Sequence, residues 1–198
     1  MVEKRGILLV ISGPSGVGKG TVCNEIMKLR NDLFLSVSAT TRIPRPGEAH
    51  GINYFFMTRE EFLERCERGE FLEWAKVYGN FYGTPRDAVK EAIEEGRNVV
   101  LEIDIQGALR VKEKIPEAVL VFIAPPSYEE LKKRLVNRDT DKEEIISERL
   151  RSLGDEISYI KNYDYVVIND TVGEAVQKIN SIIKAEKCRG RFYTAFNA

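Results

Sequence analysis

The chain has 198 residues, 43% of them hydrophobic and 31% charged, with a formal net charge of −1. That describes one globular domain with enough apolar material for a core, and it argues against a generally basic nucleic-acid binder. Three scattered cysteines (Cys23, Cys66, Cys188) and a single histidine, His50, leave no material for paired-cysteine zinc sites, multi-histidine metal sites or histidine-based nucleophilic triads.

The first apolar run, Ile7 to Ile11, predicts a buried strand. It is too short for a signal peptide, and no stretch approaches a membrane span, so a cytoplasmic location with no membrane partner is expected. Ser12-Gly13-Pro14-Ser15-Gly16-Val17-Gly18-Lys19 follows, then a helix in which Val22, Ile26 and Leu29 recur at helical spacing. Strand, glycine-rich turn and helix in this order make a phosphate-binding loop. Glycines let successive N–H groups point inward, the helix N-terminus favours negative charge, and the lysine reaches terminal phosphates. A plain glycine-rich turn is the alternative, and the flanking strand and helix weigh against it. One position departs from the pattern: Gly20 stands where a magnesium-binding Ser or Thr is expected, with Thr21 one place later. Magnesium would then lean on Thr21, other carboxylates, the nucleotide or water.

Leu33 to Ser38 predicts a second strand, and the segment from Ala39 to Gly51, with Pro44, Pro46, Gly47 and Gly51, excludes a helix. Tyr54 to Met57 resumes as a strand. Thr58-Arg59-Glu60-Glu61 is a capping box opening a helix that Gly69 ends. Phe71 to Tyr78 and Phe81 to Thr84 read as a hairpin turning at Gly79-Asn80, and Thr84-Pro85 reads as the cap and first residue of the next helix. Asn98 to Ile105 is a strand carrying Glu102 and Asp104, followed by a short helix to about Lys114. Ala118 to Ala124 is nearly all apolar, as in a strand covered on both faces. Capping boxes at Ser127 to Glu130 and Thr140 to Glu143 open two further helices. Tyr165 to Ile168 forms the last strand, and Thr171 caps the final helix. Strands alternating with helices imply an α/β fold with a parallel sheet, and the hairpin-rich middle looks like an insertion at the carboxyl ends of the strands.

Arg42, Arg45, Glu48 and Tyr54 gather on the proline-stiffened loop of that insertion. Arginine forks suit phosphate oxygens, although an arginine-rich solvated loop is also common. The run from Thr41 to Met57 resembles the signature of the guanylate kinases. The Gly13 to Lys19 loop, Glu73-Trp74, Tyr82-Gly83, Asp104-Ile105-Gln106-Gly107, Ile123 to Ser127 and Val167-Ile168-Asn169-Asp170 follow in that family's order.

The resemblance implies a three-layer P-loop kinase core with a parallel sheet (residues 1–34, 86–125 and 161–198), an inserted GMP-binding region (35–85) and a helical lid (126–160). It implies the reaction ATP + GMP ⇌ ADP + GDP with magnesium, dGMP as a further acceptor, and a place in purine nucleotide recycling. By position, ATP falls to Gly13, Pro14, Ser15, Gly16, Val17, Gly18, Lys19, Gly20, Thr21 and Asn169. Arg42, Arg45, Tyr54 and Tyr82 fall on the positions that hold the GMP phosphate, with Glu48 orienting an arginine. Ser38, Glu73, Thr84 and Asp104 fall on those that read guanine. Arg138 and Arg149, with Arg134 next, are the lid arginines expected to neutralise charge beside Lys19, Arg42 and Arg45. Gly20-Thr21 resembles a variant found in this family and in adenylate kinases, which softens the departure noted above.

Residue chemistry points the same way. Guanine presents N1–H and an amino group as donors and O6 as an acceptor; Glu73 and Asp104 suit the donors, and a Thr84 hydroxyl suits O6. Adenine would leave a buried carboxylate unpaired. A solvated strand residue is the alternative for Glu73, an ion-paired solvated helix that for the lid arginines, and a turn asparagine that for Asn169. Two other functions stay open: a kinase for another nucleoside monophosphate, and a non-catalytic guanylate-kinase-like interaction domain. Against the latter, Lys19, Arg42, Arg45 and Asp104 are all present. Oligomeric state is not readable.

Overall fold

A computed structural model describes residues 6–136 and 143–192, with the backbone alone for 143–150 and 191. Five parallel strands form the central sheet: β1 (Leu8–Ser12), β2 (Leu33–Leu35), β7 (Asn98–Glu102), β8 (Val119–Ala124) and β9 (Tyr165–Ile168), in the order β2-β7-β1-β8-β9. The order reverses at β1, so the crevice for a ligand opens above its carboxyl end. Leu9 and Ile11 face one apolar layer and Leu8 and Val10 the other. Burial on both faces explains why β1 and β8 are continuous apolar runs. Helices α1 (Lys19–Leu29) and α7 (Val172–Lys187) cover the first face through Val22, Cys23, Ile26, Ile179 and Ile183. Helices α3 (Arg86–Glu94) and α4 (Ile105–Lys114) cover the second through Val89, Ala92, Ala108 and Val111. These are the three layers expected from the sequence.

The middle segment forms a second sheet in the order β4-β3-β6-β5, from β3 (Ala39–Thr40), β4 (Phe55–Phe56), β5 (Phe71–Val77) and β6 (Asn80–Pro85). Its own small core stacks Phe62, from α2 (Arg59–Glu67), between Phe71 and Phe81, with ring centroids 4.6 and 5.4 Å away. Thr58 and Glu61 close the expected capping box on α2, and Thr171 caps α7. The hairpin turns on Tyr78 (φ 46°) and Gly79 (φ 83°), one residue earlier than expected, because a tight turn between right-twisted strands needs two positive φ values.

Two other local expectations change. The strand expected over Leu33 to Ser38 is split: β2 ends at Leu35, Ser36 N makes a last bond to Val100 O, and the chain then crosses to β3. Thr84 does not cap α3. Pro85 occupies that position without a side-chain bond, and the buried Thr84 hydroxyl turns inward to Glu73. Of the segment expected as a lid, α5 (Tyr128–Val136) and α6 (Glu143–Ser158) insert Leu131, Leu135 and Leu153 into the first core layer. The capping box at Thr140 lies outside the described residues.

Candidate active site

Between β1 and α1 the chain wraps a loop whose Gly13, Gly16 and Gly18 have φ of 142°, 84° and 92°. Gly13 is required by a close approach as well as by φ. A Cβ there would stand 2.3 Å from Ile123 O on β8. The loop leads directly into the first turn of α1, capped by Gly18 with no side-chain bond, and a helix start of this kind suits an anion. Asn169, just past β9, is buried and braces the loop by donating from Nδ2 to Val17 O at 2.8 Å. Lys19 Nζ spans the turn, donating to Gly13 O at 2.7 Å and Pro14 O at 2.9 Å. Burial pulls its pKa down, and Glu102, Glu156 and Asp104 act against that pull. Asn169 therefore lies against the phosphate loop itself.

Glu102, the last residue of β7, had no role assigned from sequence. A Cβ on Gly20 would lie 3.4 and 3.5 Å from its two carboxylate oxygens. The departure from the P-loop pattern at Gly20 thus coincides with a carboxylate from the neighbouring strand. Thr21 is exposed and lines an outer groove with Glu25, Lys28, Val172 and Gln177, two positions round α1 from Lys19.

On the loop after β3, Glu48 accepts from Arg42 Nη2 with both oxygens, at 2.8 and 2.9 Å, and from the Arg45 backbone N–H at 2.7 Å. Burial opposes both charges and is outweighed by their pairing, so Arg42 titrates above its ordinary value and Glu48 below. The Arg42 guanidinium also lies over the Tyr54 ring, 5.4 Å from its centroid, and Tyr54 meets Tyr82 edge-on at 6.0 Å. Burial, with Glu102 and Tyr82 nearby, pushes the Tyr54 hydroxyl up to about 12. It remains a hydrogen-bond donor at neutral pH. Arg42 and the Arg45 backbone thus meet on one glutamate, with Tyr54 beside the Arg42 guanidinium and Tyr82 beside Tyr54.

The third cluster joins the hairpin to the core. Glu73, on β5, is only 3% exposed, whereas its neighbour Trp74 is 39% exposed. Thr84 Oγ1, on β6, donates to Glu73 Oε1 at 2.7 Å. Its single proton is then committed to Glu73 rather than turned to a guanine O6. Burial lifts the Glu73 carboxyl to about 7, with Asp104 adding to the rise and Thr84 opposing it. Asp104 caps α4, its oxygens accepting from Gln106 N at 3.1 Å and Gly107 N at 3.2 Å. Ser38 lies buried at the entry to β3. Nearby, the buried Ser12 and Tyr163 hydroxyls face one another without completing a well-formed bond.

Arg134 is held on α5 by Glu130 at 3.1 Å and reaches Asn169 O at 3.0 Å. Arg138 and the Arg149 side chain lie outside the described residues. Lys19 and Asp104 interact electrostatically, as do Asp104 and Glu73 and also Glu102 and Tyr54, so the three clusters share one field.

A glycine-built phosphate loop at the switch point of a parallel sheet defines a P-loop nucleotide-binding protein. The guanylate kinase family model matches residues 5–186. The guanylate kinase of Caldanaerobacter subterraneus subsp. tengcongensis is 57% identical over 188 residues, 95% of this chain and 91% of that protein. That of Clostridium perfringens is 54% identical over 187 residues, 94% and 87% of the two chains. The crystal structure of guanylate kinase from Anaplasma phagocytophilum superposes with a TM-score of 0.82 at 39% identity, covering 96% and 90%. The chain belongs to the guanylate kinase family.

Proposed function

We infer that the chain transfers the γ-phosphoryl group of ATP to GMP, giving ADP and GDP. The observation that carries the acceptor's identity is the buried Glu73 carboxylate, electrostatically coupled to Asp104 across the crevice from a phosphate loop. Two carboxylates match the two donors of the guanine edge, and adenine has no such pair. A GMP phosphate oxygen attacks the γ-phosphorus as its bond to the β–γ bridging oxygen breaks, so no enzyme nucleophile is needed and catalysis is positioning and charge neutralisation.

In this assignment Gly13 to Thr21 cradle the ATP phosphates, with Lys19 leaving its loop carbonyls to reach the transferred group. Arg42, Arg45, Tyr54 and Tyr82 hold the GMP phosphate, and Glu48 aligns Arg42. Ser38, Glu73 and Asp104 read the base, and Thr84 holds the Glu73 carboxyl in place for it. Arg134, Arg138 and Arg149 neutralise charge from a lid over residues 126–160, closing on a core of 1–34, 86–125 and 161–198 with the GMP region at 35–85. Asn169 supports the ATP side through Val17. The assigned residues address base and phosphate, so dGMP is expected as a second acceptor. Such a metabolic role suits the cytoplasm.

Magnesium bound with ATP would neutralise charge on the β- and γ-phosphate oxygens. The donor set fits it. Glu102 places hard carboxylate oxygen beside Gly20, and this residue, rather than the outward-facing Thr21, would hold the ion's water shell. An ADP-release assay across GMP, dGMP, AMP, CMP and UMP tests the function. GMP should exceed AMP by at least about a hundredfold in kcat/KM. Comparable turnover of AMP would remove the guanine assignment, and no transfer to any acceptor would favour a non-catalytic domain.

A further inference from the structure

Helix α4 meets strand β5 along one face. Lys114 Nζ donates to Leu72 O at 2.6 Å, Arg110 donates to Trp74 O, and one turn earlier Gly107 lies against Glu73. Positions 107, 110 and 114 share a helical side. A Cβ on residue 107 would stand 2.7 Å from Glu73 Oε2 and 3.1 Å from Asp104 Oδ1, closer than the neighbours allow without moving. Glu73 has little freedom to yield, because it is buried and its other oxygen takes the Thr84 hydroxyl. The Gly107 N–H also donates to Asp104 Oδ1. Glycine within a helix is unfavourable relative to alanine, so local propensity argues against the residue found here.

We propose that Gly107 is a specificity-determining positioning residue. Its missing side chain seats the Glu73 carboxylate against the first turn of α4 beside Asp104, so that both carboxylates meet the guanine edge together. The first turn's N–H groups and dipole then favour the charge brought to them. This rests on the assignment of Glu73 and Asp104 to guanine.

The test is Gly107→Ala, read by calorimetric titration with GMP, IMP and ATP and by steady-state kinetics. The melting temperature should fall by no more than a few degrees, because alanine's better helix propensity offsets part of the crowding at Glu73. GMP affinity should fall about tenfold, the scale of one misplaced charge-assisted hydrogen bond, while ATP stays within about twofold. IMP, which lacks the 2-amino donor, should lose less, so the GMP-to-IMP preference narrows. Combining Gly107→Ala with Glu73→Gln should cost less than the product of the single losses, because both act through one carboxylate. Unchanged GMP affinity, equal losses for GMP and ATP, or multiplicative losses in the double variant would each overturn the role of Gly107. The two levels separate cleanly. If Glu73→Gln weakens GMP and Gly107→Ala does not, only the Gly107 role falls; if Glu73→Gln leaves GMP affinity intact, the guanine assignment itself falls.

Discussion

In the proposed assignment the P-loop grips phosphate with backbone, whereas the inserted region grips GMP with side chains. The loop is a contiguous stretch from Gly13 to Lys19 resting on the fully buried β1 and β8. Ile123 O crowds it at Gly13, Asn169 braces it at Val17, and Lys19 folds back onto its carbonyls. The acceptor half draws on the loop after β3, the β5–β6 hairpin and the end of β7, and rests on a three-phenylalanine core. It also holds a carboxyl lifted to about 7 by burial. One half is built of backbone; the other stores an electrostatic cost that, on the proposed assignment, GMP relieves. Buried polar groups of that kind persist where binding uses them.

The largest expected effect breaks the backbone half at its one essential side chain. Lys19→Ala should lower kcat by about a hundred- to a thousandfold, with melting temperature little changed, as measured by ADP release and calorimetry. Asp104→Asn keeps a capping side chain for α4 but loses the acceptor charge. The kcat/KM for GMP should fall by about a hundredfold and the KM for ATP should move little. Glu48→Gln should raise the KM for GMP about tenfold, because the guanidinium of Arg42 loses its charged partner. Equal damage to ATP binding in either variant would erase the division between the halves.

The remaining effect is on stability, and its sign is specific. Glu73 titrates at about 7 in the fold against an ordinary 4.5. A raised carboxyl supports the fold fully below its unfolded pKa, and that support is lost as pH rises through 7. Glu73→Gln should therefore gain on the order of 3 kcal/mol over wild type between pH 4 and pH 8 in urea melts.

The P-loop and the alternating strands and helices were legible because each signal is local: glycine spacing, capping boxes, apolar runs. The proposed acceptor site was legible mainly through resemblance, and the burial of its Glu73 carboxyl was not. Strand alternation around Leu72-Glu73-Trp74 allows two phases, and size alone favours burying Trp74. The fold instead buries Glu73 and leaves Trp74 against Arg110 at the surface. Thr84-Pro85 has the form of a helix start, yet its hydroxyl is needed 11 residues back in sequence, at Glu73. Glu102 and Gly107 carried only weak signals, a carboxylate ending an apolar strand and a glycine in a helix's first turn. Both gain meaning only from what the fold brings beside them.

The most direct test of the acceptor half is the carboxyl titration of Glu73, followed by carbon NMR on labelled protein with and without GMP. The pKa should lie near 7 in the free protein and fall below about 5 when GMP is bound, because guanine donors stabilise the ionised form. A value that GMP leaves unchanged would contradict guanine recognition by this carboxylate.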